Sequence, residues 1–351
     1  MITKQHTLII CTPGFAKDEA DTNCLPMQQN LIRSIKHHQP NLDIIVLAFQ
    51  YPYVKKTYQW FGITVMSFNG RNKGGIKKFL LRRELDAVLK KINSNNKVIG
   101  ILSFWYGECA WVGKRFAGKN QLKHFCWLLG QDAKKENNYP KKLHAGTAEL
   151  IALSDFIQSA FEKNHGIQPA HLIPPGIDTK EFNNSLPVKD IDIIAVGSLI
   201  PLKQYDLFIT TIAAIKKIFP NIKAVLTGEG PERKKLEALV EANSLQQNIT
   251  LTGELQHNEA LQWMQRAKIF LHPSSYEGFG VVMLEALYAG CEAISFCKPM
   301  QQDIAHWHIV PDAAAMQQKT IQLLQSNLPQ ERVCPFHIDD TTKKMMELFD
   351  I

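Results

Sequence analysis

Residues 273–286 read PSSYEGFGVVMLEA, and this stretch decides the fold of the second half of the chain. The apolar run before it, 268–272, predicts a strand, and residues 281–289 after it predict a helix. A glycine turn between a strand and a helix lets backbone N–H groups converge at the helix N-terminus, where phosphate groups bind. In an open α/β sheet such a turn lies at the ligand-binding edge. The segment therefore predicts a phosphate-binding turn in a doubly wound sheet.

Two carboxylates of this segment, Glu277 and Glu285, are eight residues apart. At a rise of about 1.5 Å per residue, Glu285 lies ~7 Å inside the helix, whereas Glu277 precedes its N-terminus. A diphosphate docked at that N-terminus would be flanked by two groups that accept hydrogen bonds from hydroxyls. A nucleotide-sugar has this order of sugar, diphosphate and ribose. The spacing occurs by chance elsewhere, so the glycine turn between the two residues carries the argument.

Short apolar runs and helix-like segments alternate from residue 191 to residue 296, as in a nucleotide-binding sheet. Two more glycine turns follow predicted strands, at 197–203 and 228–231. One such turn is most often an ordinary tight turn, but three at successive strand ends predict a ligand site. The predicted strands are 191–196, 222–227, 248–252, 268–272 and 292–296, and the predicted helices are 205–219, 231–243 and 281–289.

The first half of the chain has the same rhythm, with runs rich in Ile, Leu and Val that suit strands buried on both faces. We expect an α/β protein of two Rossmann-like, doubly wound parallel-sheet domains that face a cleft, which fits 351 residues. The predicted strands here are 7–12, 43–49, 63–67, 98–102, 124–129 and 149–153. The expected divisions are a first domain (1–174), a Pro- and Gly-containing linker (175–190), a second domain (191–335) and a C-terminal helix (336–351) that packs back on the first domain.

Composition and charge exclude several classes of protein. Apolar residues make up 45% and charged residues 21%, which excludes a wholly disordered or fibrous chain. No apolar run approaches the ~18 residues that span a bilayer, and the N-terminus lacks the pattern of a signal peptide. The seven cysteines form no C-x-x-C pair, so a reducing cytoplasm fits best. The net charge is +12 over residues 1–180 and −5 over 181–351, which suggests two domains with different partners.

Together, the turns at 197–203 and 228–231, the sequence Thr-Gly-Glu at 252–254 and the segment 273–286 resemble family 4 of the retaining glycosyltransferases, which have the GT-B fold. The resemblance is specific over about 190–296 and extends to the segment 173–178, which looks like that family's interdomain segment. It implies transfer of a hexose-type sugar from a nucleotide-diphosphate sugar to an acceptor hydroxyl, in cell-envelope or polysaccharide synthesis. The acceptor would be a glycan or a lipid-linked molecule.

The resemblance also implies roles for individual residues. Lys203 matches the residue that neutralises the diphosphate and Glu277 the acid near the donor sugar, and these two are the candidate catalytic residues. Glu285 matches the ribose-binding acid of the family's E-x7-E motif. The candidate donor-binding residues are Gly14, Gly197, Ser198, Gly228, Glu229, Gly230, Pro231, Glu254, Gly278, Phe279, Gly280 and Glu285. The candidates on the acceptor or sugar side are Phe15, Gly130, Gln131 and Asp132.

The chain departs from the family pattern at three places. Ser198 stands where the family usually has an Arg, so one of two cations for the diphosphate is missing. Leu129 replaces a His that faces the donor sugar, and Gln131 or Asp132 would supply the polar contact instead. The stretch 297–303 lacks the usual glycine pair. The identity of the sugar therefore stays open.

The sequence predicts no metal, no cofactor and no nucleic-acid partner. The twelve histidines show no H-E-x-x-H or similar ligand spacing, and we expect them to be surface or core residues. The nucleotide-sugar would be a substrate, and the fold that the chain resembles has no D-x-D metal requirement. No helix-turn-helix, zinc-finger or RNA-recognition signature accompanies the basic residues.

A basic segment spans residues 71–91. On a helical projection one apolar face, which the core would bury, consists of Leu81, Leu85, Val88, Leu89 and Ile92. Ile76, Phe79 and Leu80 fall outside that face, among Lys77, Lys78, Arg82 and Arg83. One interpretation is a solvated helix end, and the other is contact with an anionic membrane, which would make the protein peripheral on the cytoplasmic face.

Two alternatives to the transferase remain open. The first is a nucleotide-sugar epimerase of the same fold, and the second is a non-catalytic nucleotide-sugar-binding relative. Ser198 in place of Arg favours the second alternative, whereas the joint presence of Glu277, Glu285 and Lys203 opposes it.

Overall fold

The computed structural model describes residues 5–185, 187–326 and 331–351. They form two compact units, each an α/β sheet with its own hydrophobic core. The first unit extends to Pro175 and includes Ile338–Ile351, and the second unit is Gly176–His337. The predicted class, an α/β protein of two Rossmann-like parallel-sheet units, is confirmed.

The first unit is built on an eight-stranded sheet. Its strands are β1 (His6–Gly14), β2 (Asp43–Tyr51), β3 (Lys56–Trp60), β4 (Ile63–Ser67), β5 (Lys97–Phe104), β6 (Lys123–Leu128), β7 (Leu150–Ala152) and β8 (His171–Leu172). Its helices include α1 (Pro26–His38), α2 (Gly75–Asn95), α3 (Glu108–Asn120), α4 (Tyr139–Leu143) and α5 (Asp155–His165). The strand order is β3-β4-β2-β1-β5-β6-β7-β8, and only the β3–β4 pair is antiparallel. The central strand β1 is buried along Thr7–Thr12, as expected for a strand covered on both faces.

The second unit is built on a six-stranded parallel sheet in the order β11-β10-β9-β12-β13-β14. The order reverses between β9 and β12, and open α/β sheets bind ligands at the carboxyl ends of strands at such a switch point. Its strands are β9 (Ile191–Val196), β10 (Ala224–Thr227), β11 (Ile249–Gly253), β12 (Ala267–His272), β13 (Glu292–Ser295) and β14 (Trp307–Ile309). Its helices are α6 (Tyr205–Lys216), α7 (Arg233–Ala242), α8 (His257–Gln265), α9 (Val281–Tyr288) and α10 (Ala313–Gln325).

The last helix, α11 (Ile338–Glu347), belongs to the first unit and packs on α1. Thr342 Oγ1 donates a hydrogen bond to Ser34 Oγ of α1 at 2.8 Å. Beyond the helix, the ring of Phe349 lies 5.1 Å from the ring of Phe125 of β6 and crosses it edge-on. The end of the chain therefore completes the hydrophobic packing of the first unit.

The predicted linker 175–190 is wrong as a separate segment, since all but Pro175 belongs to the second unit. Ile177 pairs with His337 in a parallel bridge, and the buried ring of Phe182 lies 4.9 Å from that of Tyr288. The prolines and glycine do interrupt the regular elements, but Ile177 and Phe182 are buried in the second unit. Residue 186 of this stretch and residues 327–330 of the predicted second domain lie outside the described residues.

Candidate functional site

The first two glycine turns of the second unit pack backbone against backbone. They follow β9 and β10, and both Gly228 and Gly230 have positive φ values, +140° and +159°. A Cβ at Gly228 would lie 2.0 Å from the carbonyl oxygen of Gly197, and one at Gly230 would lie 2.4 Å from that of Leu199. Only glycine allows this approach without a shift of the backbone. The backbones of these two turns, 197–203 and 228–231, are therefore in close contact at the switch point.

Lys203 and Glu277 meet at this edge, although they are 74 residues apart in the chain. Lys203 Nζ donates to Glu277 Oε1 at 2.5 Å, and both side chains are largely buried. The turns that carry them are also joined by their backbones, since the N–H of Ser275 donates to the carbonyl of Leu202 at 3.0 Å. The two predicted catalytic residues thus form one ion pair between the turns after β9 and β12.

His272, the last residue of β12, holds the same oxygen of Glu277. Its Nε2 lies 2.8 Å from Glu277 Oε1, and only 1% of its side chain is exposed. Burial lowers the pKa of His272 despite the neighbouring carboxylate, so the ring is neutral and donates from Nε2. Burial opposes the charge of Glu277, but hydrogen bonds from His272 and Lys203 and the charge of Lys203 outweigh it and lower the pKa of Glu277 to about 2. Glu277 is therefore a fixed carboxylate at neutral pH.

Glu285 lies on the second turn of α9 and is bound by another histidine. His257 Nε2 lies 2.8 Å from Glu285 Oε1, and His257 Nδ1 lies 3.7 Å from Glu181 Oε2. Each acid of the predicted pair is thus held by an imidazole from a different element. Sequence reasoning missed both histidines, because His272 and His257 were grouped with the other histidines as surface or core residues. The position of His272 at the strand end, directly before the decisive segment, was the signal available.

The turn before α9 places backbone rather than side chains at the helix N-terminus. Gly280 has φ +81° and precedes the first helical residue, Val281. The ring of Phe279 is buried, with ring centres 6.1 Å from Trp307 and 5.7 Å from Phe336. Only the backbone of Phe279 is therefore a candidate for ligand contact.

Gly278 is buried, whereas four other candidates of the second unit lie on its surface. Ser198, Pro231 and Glu254 are exposed. Glu229 Oε1 accepts a hydrogen bond from Arg233 Nη1 at 3.0 Å. Arg233 is thus a cation beside the 228–231 turn that the sequence analysis did not single out.

The first-unit candidates include two side chains that point inward, contrary to their predicted role. Phe15 is fully buried with its ring 4.7 Å from that of Trp60. The buried carboxylate of Asp132 accepts hydrogen bonds from the N–H groups of Tyr106 (3.0 Å) and Gly130 (2.8 Å), so it shapes its own loop. Gly14 is the last residue of β1 rather than part of a loop after it. Gln131 is the exposed polar residue of the set.

No cluster of three or more His, Cys, Asp or Glu residues suited to a metal ion occurs within 5–185, 187–326 and 331–351. The cysteines are all free thiols. Over the same described ranges, no helix has the length and apolar character needed to cross a membrane.

The second unit is similar in sequence to a known protein family. Residues 176–332 match the family model of glycosyl transferases group 1. A phosphatidylinositol N-acetylglucosaminyltransferase polypeptide from Arabidopsis thaliana is 31% identical over 135 residues, which is 37% of this chain and 30% of that protein. The match thus spans less than a third of the length of this relative.

Solved structures that resemble nearly the whole chain include the following two. Sucrose-phosphate synthase from Thermosynechococcus elongatus has a TM-score of 0.71 at 18% identity and covers 99% of this chain, with 95% of its own chain covered. Anabaena HepE, solved with UDP and glucose, has a TM-score of 0.70 at 15% identity, with 99% of each chain covered. Residues 176–332 therefore resemble the glycosyl transferases group 1 family, within a chain that has the GT-B fold.

Proposed function

We propose that this chain is a retaining glycosyltransferase that moves a hexose-type sugar from a nucleoside-diphosphate donor to an acceptor hydroxyl. The observation that carries the proposal is the ion pair of Lys203 with Glu277, which precedes α9, together with Glu285 on α9, next to the switch point between β9 and β12. The family of residues 176–332 and the likeness to HepE, solved with UDP and glucose, support it.

The barrier of such a transfer is departure of the diphosphate from the anomeric carbon, with charge growing on the phosphate oxygens. Lys203 and the backbone N–H groups at the start of α9 would stabilise that charge. Lys203 must first leave Glu277 for the diphosphate, while His272 keeps Glu277 in place to accept hydrogen bonds from sugar hydroxyls. We assign no nucleophile: the acceptor would attack from the face that the diphosphate leaves, and the leaving phosphate would take its proton.

A turnover assay with UDP-, GDP- and ADP-sugars tests this function. We expect release of one nucleoside diphosphate that depends on an acceptor alcohol, with the anomeric configuration of the donor kept in the product, as read by NMR. Turnover without an acceptor would instead indicate the epimerase alternative. Tight donor binding with no turnover on a broad acceptor panel would indicate the non-catalytic alternative.

We propose further that an anionic membrane presents the acceptor to the first unit, at the cytoplasmic leaflet. The start of α2 leaves Ile76 (78%), Phe79 (58%) and Leu80 (56%) exposed, and Lys73, Lys77 and Arg83 are exposed beside them. We call these six residues the apolar–basic face. As predicted, Leu85, Leu89 and Ile92 are buried on the other side of the helix.

Two residues of the predicted basic cluster do not belong to this face. Lys78 and Arg82 bind the carboxylate of Glu108, with Arg82 Nε 2.8 Å from Glu108 Oε2. The guanidinium of Arg82 also lies 4.2 Å from the ring centre of Trp111. These contacts join α2 to α3, so Lys78 and Arg82 serve the packing of the first unit.

Co-sedimentation with vesicles of anionic and of neutral lipids tests the membrane proposal. We expect binding to anionic vesicles that weakens with salt, at about 1 kcal/mol per basic residue near the surface. Changing Lys73, Lys77 and Arg83 to Gln should abolish it, whereas changing Lys90 and Lys91 at the other end of α2 should not. A wild-type chain that stays in the supernatant at low salt would contradict the proposal and favour a water-soluble acceptor.

A further inference from the structure

His257 lies between two carboxylates that come from different parts of the second unit. Its Nε2 is 2.8 Å from Oε1 of Glu285 on α9, and its Nδ1 is 3.7 Å from Oε2 of Glu181. Glu181 ends a short helical turn, Thr179–Glu181, near the start of the unit. The three side chains are 13% to 20% exposed, so water screens their interaction weakly.

The charges that face His257 are predominantly negative. α8, which begins at His257, packs on α9, β9 and β12. Glu285 is the charged group from α9, while Asp192 of β9 and Lys268 of β12 are paired with each other at 2.8 Å. On its own helix, Glu259 accepts a hydrogen bond from the N–H of Gln256. An imidazolium at this position therefore has a carboxylate on each ring nitrogen.

We propose that His257 is a positioning residue of the donor site, which as an imidazolium holds Oε1 of Glu285 and leaves Oε2 outside that contact, to receive a hydroxyl of the donor nucleoside. This inference rests on the proposed function, in which Glu285 binds the donor ribose. Glu181 supports it from the other side of the ring by favouring the charged form of His257.

The arrangement makes donor affinity depend on pH. Burial lowers the pKa of His257, but the charge and hydrogen bond of Glu285 and the charge of Glu181 outweigh burial and raise the pKa to about 9. The imidazolium therefore persists at neutral pH and is lost as pH rises through 9. Loss of its charge weakens the hold on Glu285, so nucleotide affinity falls over that range.

Calorimetric titration with UDP, GDP and ADP between pH 7 and pH 10 tests the inference on the wild-type chain and on His257→Gln. Gln keeps a side-chain N–H donor but does not titrate. We expect the nucleotide that binds best to bind about tenfold more weakly to His257→Gln at pH 7, and the ratio of the two dissociation constants to approach one by pH 10. Lys203 is present in both proteins, so the ratio isolates His257.

Two variants complete the experiment. Glu181→Gln should bind normally at pH 7 and lose affinity at a lower pH than the wild type, because it lowers the pKa of His257. His308→Gln removes a comparable contact, His308 Nε2 to Glu292 Oε2 at 2.7 Å on β14, and should follow the wild-type profile. A merely structural role of His257 would shift stability without moving this profile.

Failure of the role of His257 and failure of the proposed function give different results. If a nucleotide binds and the wild type and His257→Gln show a constant ratio across the pH range, the role of His257 is overturned while the donor site stands. If none of the three nucleotides binds the wild type at any pH, the proposed function itself fails and the role of His257 falls with it.

Discussion

The ion pair between Lys203 and Glu277 is the residue-scale feature on which the proposed chemistry depends. Lys203 Nζ lies 2.5 Å from Glu277 Oε1, and Nε2 of His272 lies 2.8 Å from the same oxygen. A diphosphate offers Lys203 a second, more highly charged partner. The ion pair thus keeps the ammonium group of Lys203 where the diphosphate leaving group would bind.

Lys203→Ala should lower turnover by a factor of roughly 10²–10³, the range seen on removing one group that stabilises transition-state charge. Ser198 stands where an Arg is usual in the family that the chain resembles, so the turn 197–203 has no second cation and depends more on Lys203. Steady-state kinetics measure the effect, with Lys217→Ala, an exposed lysine after α6, as the control. Wild-type turnover in Lys203→Ala would refute its role.

Glu277 and Glu285 should separate into two functions. Glu285→Ala should weaken binding of the free nucleoside diphosphate, because its carboxylate is assigned to the ribose. Glu277→Ala should abolish transfer but leave that binding intact or tighter, since it frees Lys203 for the phosphates. Calorimetry measures both variants beside Glu241→Ala, an exposed acid at the end of α7. Equal losses of nucleotide affinity at Glu277 and Glu285 would disprove the division.

Glu277 should also make the stability of the chain depend on pH in the acid range. Its pKa in the folded chain is lowered from 4.5 to about 2, so its contribution is fully present above pH 4.5 and is lost as pH falls towards 2. One pKa unit corresponds to about 1.4 kcal/mol, so the full effect is on the order of 3 kcal/mol. The urea midpoint of the wild type should therefore fall more between pH 6 and pH 3 than that of Glu277→Gln. Parallel losses in the two proteins would contradict the pKa assigned to Glu277.

At the scale of elements, the regular βα units could be predicted from sequence. Strands such as β9 and β12 are continuous apolar runs, so their period and turn signals identify them. β3 escaped prediction because its residues alternate and are mostly exposed at the edge of the sheet. Helix α8, which begins at His257, was not predicted either. Lys78 and Arg82 were predicted to contact a membrane, but they bind Glu108 on the next helix instead.

The candidate site likewise contains residues that could be predicted from sequence and residues that could not. The acids, the lysine and the glycine turns belong to short motifs at successive strand ends and could be named from sequence. Their partners could not, because His257 and Glu181 reach Glu285 only after separate elements pack together. Burial likewise decides against Phe15 and Asp132, and a single sequence does not reveal which way a loop side chain points.

Gly228→Ala should disrupt the paired glycine turns. The new Cβ would lie 2.0 Å from the carbonyl oxygen of Gly197, in addition to the strain of a positive φ. We expect a lower thermal midpoint and loss of nucleoside-diphosphate binding. Gly62→Ala in the first unit is the control, since it has φ +73° and open space around its Cβ. An equal effect of the two changes would show that backbone strain alone, and not contact between the turns, explains the result.

At the scale of the whole molecule, the chain joins a basic half to an acidic one. Residues 1–180 carry a net charge of +12 and residues 181–351 carry −5. The apolar–basic face belongs to the first unit, whereas the glycine turns and the acid pair belong to the second. This separation fits one unit that selects the acceptor and another that binds the donor.

Hydrogen exchange of the wild-type chain with and without UDP, GDP or ADP tests the donor site most directly. A ligand that binds the native state raises the free energy of local opening where it binds. We predict slower exchange in the turns 197–203, 228–231 and 273–280 and in α9 with the nucleotide that binds. Protection confined to the first unit, or no protection with any of the three nucleotides at saturating concentration, would contradict the account.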